Sequence, residues 1–368
     1  MTMLYSIIKN LPLIFIGVVG IGFIIGFHEL GHFIFCKIFR VKTPSFSIGF
    51  GPQLVSKKIG DTVFSISAIP FGGYVEIAGI QEIGQGEQKE ANRRDDVSFS
   101  VKPYYQKLLI LSGGIIFNIL MSYLIMILLF SIGAPKTPLL DADSITPIVG
   151  QVIAGSAADK YGLKEQDTIL AVDGKNVKSS LELHQLIKDM PGKEATLTLK
   201  RGNETVNTKL VVGSSKFNDS EIGQIGIQFA PTFAKPVTLS IAIVEGFNTV
   251  NQLLIKTFLQ YKALFKHRLY QSVGGPIMMI SEVANSAKHG FRIFLLLLVI
   301  VNLNLAVLNL IPIPILDGGQ ILFTTIEAII RRPIPEMIRV GIHYICWIGA
   351  IALTVYLSYR DIFKFLTK

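Results

Sequence analysis

The chain of 368 residues is half hydrophobic, has a mean hydropathy of +0.51 and carries a formal net charge of +9 at neutral pH. A water-soluble globular protein of this length would sit nearer zero hydropathy, so the composition points to a membrane protein. In that class basic residues report loop topology before they report nucleic acid. Two cysteines, Cys36 and Cys346, lie in or beside apolar runs, and indicate neither a disulfide framework nor a cysteine metal cluster.

The first predicted element is an apolar run from Leu11 to about Ile38, long enough for a bilayer crossing of about 20 helical residues. It lacks the charged start and small-residue cleavage site of a signal peptide and reads as a retained span. Gly17, Gly20, Gly22 and Gly26 give it a small-residue face, suited to close helix packing or to leaving room for a substrate. The loop from Arg40 to Gln106 begins β-patterned and glycine-rich, with Lys57-Lys58-Ile59-Gly60-Asp61 as its turn, and predicts a hairpin against the membrane. A second span follows from about Lys107 to Ala134.

Residues 147–212 alternate short β-patterned runs with turns at Val172-Asp173-Gly174 and Arg201-Gly202-Asn203, around one helical segment, "SLELHQLIKDM". That is enough chain for one small α/β module. Val237 to Phe265 is long, but carries Glu245, Lys256 and several amides at helical spacing. It reads as an amphipathic helix near the membrane surface. The third span runs from about Phe291 to Ile311 and the fourth from about Gly341 to Tyr359.

Lys37, Arg40, Lys42, Lys57 and Lys58 follow the first span, and Arg331, Arg332 and Arg339 separate the third from the fourth. Short basic loops stay cytoplasmic. Both termini and the module are then expected outside, although Arg360, Lys364 and Lys368 pull the other way.

The inner end of the first span reads His28-Glu29-Leu30-Gly31-His32. His-Glu-x-x-His on a helix sets two imidazoles on one face, one turn apart, where both can bind zinc, with the glutamate beside the open position as general base. On a soluble helix the pattern occurs by chance. Within a span, three ionisable groups are too costly to be idle. A catalytic zinc needs a third protein ligand. His184, His267 and His289 fall in or beside the soluble part, and His343 has no acidic neighbour. Asp317, in "NLIPIPILDGGQ" (309–320), is the better candidate. Two prolines bend this stretch, and Gly318 and Gly319 permit close approach. Asp317 could instead cap the helix that follows. With the second span going out and the third returning, Asp317 arrives on the same side as the histidines, which favours the ligand.

The His28–His32 motif in a first span, together with Asn309-Leu310-x-Pro312-x-Pro314-x-Leu316-Asp317-Gly318-Gly319 at the end of a third, resembles the site-2 proteases. These are intramembrane zinc metalloproteases, and the likeness is greatest to the bacterial regulator-of-sigma-E protease group. It extends over nearly the whole chain. "FSIGFGP" and "IPFGGYV" look like that family's membrane-reentrant hairpin, and the soluble module looks like a single PDZ domain. "SGGIIFN", with Asn118, resembles a second-span motif that carries proline where this chain has Gly114.

The resemblance implies an α-helical polytopic membrane protein of four transmembrane helices, with a membrane-associated hairpin and one extracytoplasmic PDZ-like domain. Its parts would be residues 1–39 (first span), 40–106 (hairpin and amphipathic loop), 107–135 (second span), 143–231 (PDZ-like), 232–290 (extracytoplasmic amphipathic helices) and 291–368 (third and fourth spans). It implies zinc on His28, His32 and Asp317 with Glu29 as base. Asn304 and Asn309 would lie near the bound peptide or the oxyanion, or else join helices by hydrogen bonds; for Asn118, packing or a contact with the hairpin is expected. Ser67, Ala68, Ile69, Gly72 and Gly73, within the strand Ile66–Tyr74, would hold an unwound substrate as an added strand.

The expected function is regulated intramembrane proteolysis in the bacterial inner membrane. Substrates would be transmembrane proteins, such as anti-sigma-factor-like proteins or signal-peptide remnants, already cut outside by a site-1-type protease. The lipid bilayer is the other expected partner, and no nucleic acid is. A scaffold or chaperone with a non-catalytic metal site, or a metal transporter, is the rival reading.

Overall fold

The computed structural model describes residues 2–80, 88, 90–137, 140, 145–217, 220–267 and 274–366. It comprises two compact units, one formed by Met1–Leu129 with Leu239–Lys368 and one by Phe130–Thr238.

The first unit is built on helices. Helix α1 spans Thr2–Ile38 and α2 spans Tyr104–Ile132. Among the described residues four helical stretches are long and apolar enough to cross a bilayer: Leu11–Ile38, Tyr104–Ile132, Phe291–Asn309 and Met337–Lys364. The second begins three residues earlier than hydropathy alone places it, because Pro103 accepts the first turn's bonds from Gln106 and Lys107. Helix α1 ends where Arg40 turns left-handed (φ 53°) and the Val41 N–H reaches back to the Cys36 carbonyl. That is a Schellman closure made without glycine.

Strands β1 (Ser45–Ile59) and β2 (Thr62–Val75) form the expected hairpin, with register shifts that fold it upon itself. Near the turn Val55 to Ile59 pair with Ile66 to Thr62. Farther in, Ser45 to Ile48 are flanked by Val63 to Ile66 and by Gly73 to Val75. Ile66 thus lies between Ile48 and Val55, whereas Ile69 and Gly73–Val75 border β1 on one side only. Phe46 and Val75 of the hairpin are buried with Cys36 of α1 and Ile110 of α2 in one apolar cluster.

The second unit is the α/β module. Strand β3 is Pro135–Lys136, β4 is Val149–Val152 and α3 is Ala157–Lys160. A four-stranded antiparallel sheet of order β6-β5-β7-β8 follows, from β5 (Thr168–Val172), β6 (Lys175–Asn176), β7 (Glu194–Arg201) and β8 (Glu204–Val211), with α4 at Ser180–Lys188. Hairpin β9 (Gly213–Phe217) and β10 (Ser220–Gln224), then β11 (Ile227–Phe229) and β12 (Thr232–Phe233), complete it; β11 pairs with β4, and β12 with β3. The turn between β5 and β6 has Asp173 and Gly174 both at positive φ, as a two-residue hairpin demands. Ala195, Leu197 and Leu199 alternate inward from β7 onto Leu183 and Ile187 of α4.

Helix α5 (Leu239–His267) is not among the helices apolar enough to cross. Its polar side lies against α2 and another span. Phe247 stacks on Tyr123 at 4.3 Å, the Tyr123 hydroxyl donates to Asn251 Oδ1 at 2.6 Å, and Tyr261 donates to Asn304 Oδ1 at 3.3 Å. The amides that made α5 look like a surface helix are matched there by polar groups of the spans. Helix α6 (Pro276–Lys288) packs on α1, where Gly17 leaves room for the Ile280 carbonyl. Asp361 accepts from the N–H groups of Gly275 and Met278 at its start. Helix α7 (Phe291–Asn309), α8 (Asp317–Ile330) and α9 (Glu336–Leu366) complete the chain. Helix α8 is a separate element that hydropathy did not distinguish.

In the module, Asp167 is fully buried and takes Arg201 Nε at 2.7 Å, an Arg201 terminal nitrogen at 2.6 Å and the Lys164 N–H at 2.8 Å. Burial alone would raise its pKa; the guanidinium and the backbone N–H override this and hold it below the usual carboxylate range. The stabilisation this brings is present above the unfolded pKa of about 3.9 and is lost as pH falls below it. Arg201→Ala should therefore destabilise the module by about 3 kcal/mol at pH 7. The penalty should shrink below about pH 4, where a protonated Asp167 needs no cation. Hydrogen exchange of β5 and β7 in the whole protein checks this, and an equal penalty at both pH values would refute it.

Candidate metal centre

His28 and His32 lie one turn apart on α1, both buried. What brings them to α2 is a crossing of backbones. A Cβ on Gly31 would strike the Gly113 carbonyl, and a Cβ on Gly113 would strike the Gly31 carbonyl group at 2.7 Å. The two helices therefore touch through bare main chain. One residue on, a Cβ at Gly114 would overlap both imidazole rings.

Asp317 enters from α8. The bend needed before it is made by Leu310–Leu316, with Pro312 and Pro314. A Cβ on Gly318 would collide with the carbonyls of Leu310 and Ile311, and one on Gly319 with Ile313 and Pro314. The first turn of α8 thus rests on the loop that precedes it. Asp317 does not cap α8: the cap position is Leu316, with no side-chain bond. Its Oδ2 is buried without a protein hydrogen-bond partner and lies 3.4 Å from His28 Nε2 and 3.5 Å from His32 Nε2.

The two Nε2 atoms are themselves 3.4 Å apart. Three donors with edges of 3.4–3.5 Å form one face of a tetrahedron whose centre lies about 2.1 Å from each corner, the bond length of zinc to imidazole and carboxylate. The fourth corner has no protein donor among the described residues. The donor set and the orphaned carboxylate oxygen fit zinc.

The outer hydrogen bonds favour the same use. His32 Nδ1 donates to the Ile110 carbonyl at 2.8 Å, which leaves the Nε2 lone pair free. His28 Nδ1 is 3.0 Å from the Asn118 side-chain amide, whose Oδ1 is buried without a partner. With that amide turned over, Oδ1 accepts from Nδ1–H, and His28 also presents a free Nε2. Asn302 holds Asn118 in place by donating to its backbone carbonyl and to Ser122 Oγ at 2.8 Å.

Asn309 Nδ2 lies 3.4 Å from His28 Nε2, at the triad. Asn304 does not reach it. It bonds to Tyr261 and to the Ile300 carbonyl of its own helix. Asn302 and Asn309, seven residues apart, share the inward face of α7, and that spacing was the signal available for Asn302. Asn118 serves His28 and not the hairpin.

Glu29 is half-buried and lies against β2: a Cβ on Gly73 would come within 3.1 Å of Glu29 Cγ and 2.9 Å of Ile25. Gly72, at φ 91°, makes room for the Phe50 ring. Ser67 sits inside the sheet, its hydroxyl 2.9 Å from that of Ser47, and Ala68 and Ile69 are exposed. Of these hairpin residues, only Gly73 is brought to the centre. His343 bonds to Gln320 and is not a fourth donor.

Gly114→Ala should push both rings apart. We expect at least a tenfold loss of zinc affinity, the scale of outer-shell damage to metal sites, with helix content unchanged by circular dichroism. Full zinc content at equal free metal would contradict the placement of the rings over Gly114.

The model of Peptidase family M50 matches residues 16–353. Proteins named zinc metalloproteases are similar along nearly their full length. One from Clostridium perfringens is 31% identical over 91% of this chain and 94% of its own. One from Fusobacterium nucleatum is 34% identical over 85% and 88%, and one from Campylobacter jejuni is 30% identical over 94% and 92%. Among solved structures, the PDZ domain of an SdrC-like protein from Listeria monocytogenes matches 23% of this chain and 86% of its own at 22% identity. Its TM-score is 0.21, which carries no weight beside the strand pattern of the module itself. The family match and the full-length relatives agree: the chain belongs to peptidase family M50, the site-2 proteases, and is a zinc metalloprotease.

Proposed function

We propose that His28, His32 and Asp317 hold the zinc, that Glu29 is the general base, and that the enzyme cuts transmembrane segments of other membrane proteins. One observation carries this reading. The three donor atoms converge at 3.4–3.5 Å on α1, inside an apolar stretch long enough to span the bilayer. Bound there, zinc supplies a Lewis acid that acidifies water and polarises a carbonyl.

The residues supply the rest. Glu29, next in sequence to one ligand, takes the proton from water and passes it to the leaving amine. The Asn309 amide sits beside His28 Nε2; with that lone pair engaged, its N–H is directed at the developing oxyanion. The hairpin brings the substrate. A transmembrane helix hides its amides and must unwind first, and an extended segment can then pair with a strand edge. Ile69 and Gly73–Val75 border β1 on one side only, and Gly73 abuts Glu29. We place the clamp there, and not at Ile66, which is paired on both sides, or at Ser67, whose buried hydroxyl meets that of Ser47. A site in a bilayer, in a chain with bacterial relatives, supports an inner-membrane enzyme; we propose further that its basic loops lie inside and that it acts after a first cut outside.

Cleavage of a membrane-embedded peptide in proteoliposomes tests the mechanism. Glu29→Gln keeps shape but cannot accept the proton, and should lower turnover by at least about 100-fold, with one zinc per chain retained. His32→Ala or Asp317→Ala should lose the metal as well. Turnover near wild type by Glu29→Gln would end this mechanism.

Gly73→Val tests the clamp separately. Its side chain would displace Glu29 and Ile25, so cleavage should fall about tenfold or more while zinc stays bound. Unchanged cleavage would remove the hairpin from substrate binding.

A further inference from the structure

A cavity of 680 Å³ opens where the loop at 91–101, the start of α2, the end of α8 and the start of α9 meet. It contains none of the triad. Its wall is basic: Arg93, Arg94, Lys107, Arg331, Arg332 and Arg339 face one lining carboxylate, Glu327. Part of that charge is matched. Arg339 bonds to Glu327 at 2.9 Å, and Arg93 bonds to Glu90 and Asp95. Lys107 Nζ donates to the Ser100 carbonyl, a neutral partner. Arg94, Arg331 and Arg332 are exposed and have no ion pair among the described residues. The N-terminal end of α2, at Tyr104, adds the positive end of a helix dipole.

The surroundings are apolar. Val101 and Tyr104 of the lining are exposed, and the side of α9 that bears Val340 continues away from the cavity with exposed Tyr344, Trp347 and Ile351. Converging guanidinium forks match phosphate oxygens. A free phosphate would use the cations and leave the apolar rim idle, whereas a lipid would use both. We propose that this cavity binds the phosphate headgroup of an anionic phospholipid, with its acyl chains along the exposed flank of α9. Basic pockets at the ends of membrane helices hold acidic headgroups by this combination.

The whole protein, delipidated in neutral detergent, should be titrated with phosphatidylglycerol, phosphatidylcholine of the same chains, or inorganic phosphate, and read by native mass spectrometry. Phosphatidylglycerol should be retained at one molecule per chain, about tenfold more tightly than phosphatidylcholine. The combined variant Arg94→Gln, Arg331→Gln, Arg332→Gln should lose that preference. A control with Lys57→Gln, Lys58→Gln and Lys193→Gln, equal in charge removed, should keep it. If the combined variant does not fold, Arg332→Gln alone should still weaken retention about threefold. Equal retention by wild type and variant, equal loss in the control, or displacement of the lipid by millimolar inorganic phosphate would each overturn the proposal.

Discussion

An ionisable group held at membrane depth costs several kcal/mol unless something compensates it, and the first unit is organised around meeting that demand three times within one small volume. His28, His32 and Asp317 cannot each find a separate partner in an apolar bundle. They converge within 3.4–3.5 Å of one another, where a single cation would answer all three. Everything near them follows from the need to converge. The α1–α2 contact is bare backbone, because side chains would hold the rings apart. The chain between α7 and α8 is broken by prolines, because a continuous helix would carry Asp317 past the histidines. The first turn of α8 begins with two glycines after Asp317, because it must fold back on Leu310–Pro314.

Lesser polar groups in the bundle obey the same demand with hydrogen bonds. Asn302 binds the main chain of Asn118 and the hydroxyl of Ser122, and Asn118 in turn faces His28. The tyrosines of α2 and α5 meet amides across helix boundaries. Such bonds are worth only about 1 kcal/mol each. Their value at the centre is positional, since a ring fixed at its far nitrogen presents the near one at a defined angle.

Much of this was legible in the sequence where the signal is local. Two histidines four apart on an apolar run, a carboxylate beyond two prolines, and β-turn signals such as Asp173-Gly174 each specify their own geometry. Signals that depend on packing were not legible. Asn304 and Asn302 are equivalent as letters, and only the crossing of α7 with α2 decides which one faces inward. Helix α5 looks like a surface helix because its amides are polar, and only the facing tyrosine and asparagine show that those amides have partners. Ile66 reads as an edge because strand alternation says nothing of a strand that folds back along its own partner. Gly114 appeared to be a departure from a family pattern; the structure gives it a steric reason, two imidazole rings where a side chain would begin.

The contact between Gly31 and Gly113 also limits how the enzyme can move. Two helices that meet through side chains can slide by exchanging rotamers, one ridge dropping into the next groove. Two that meet main chain to main chain have no such intermediate positions, so α1 and α2 cannot slide along one another at that crossing. A polypeptide as wide as an extended strand would not fit between two backbones so close. The remaining walls are the hairpin, which is anchored near Glu29 but exposed from Gly51 to Gly60, and the segment of α7 and α8 joined by a non-helical bend. At the level of that crossing the helix that carries both histidines is held against sliding, whereas the aspartate arrives on a helix joined to its neighbour through a non-helical bend.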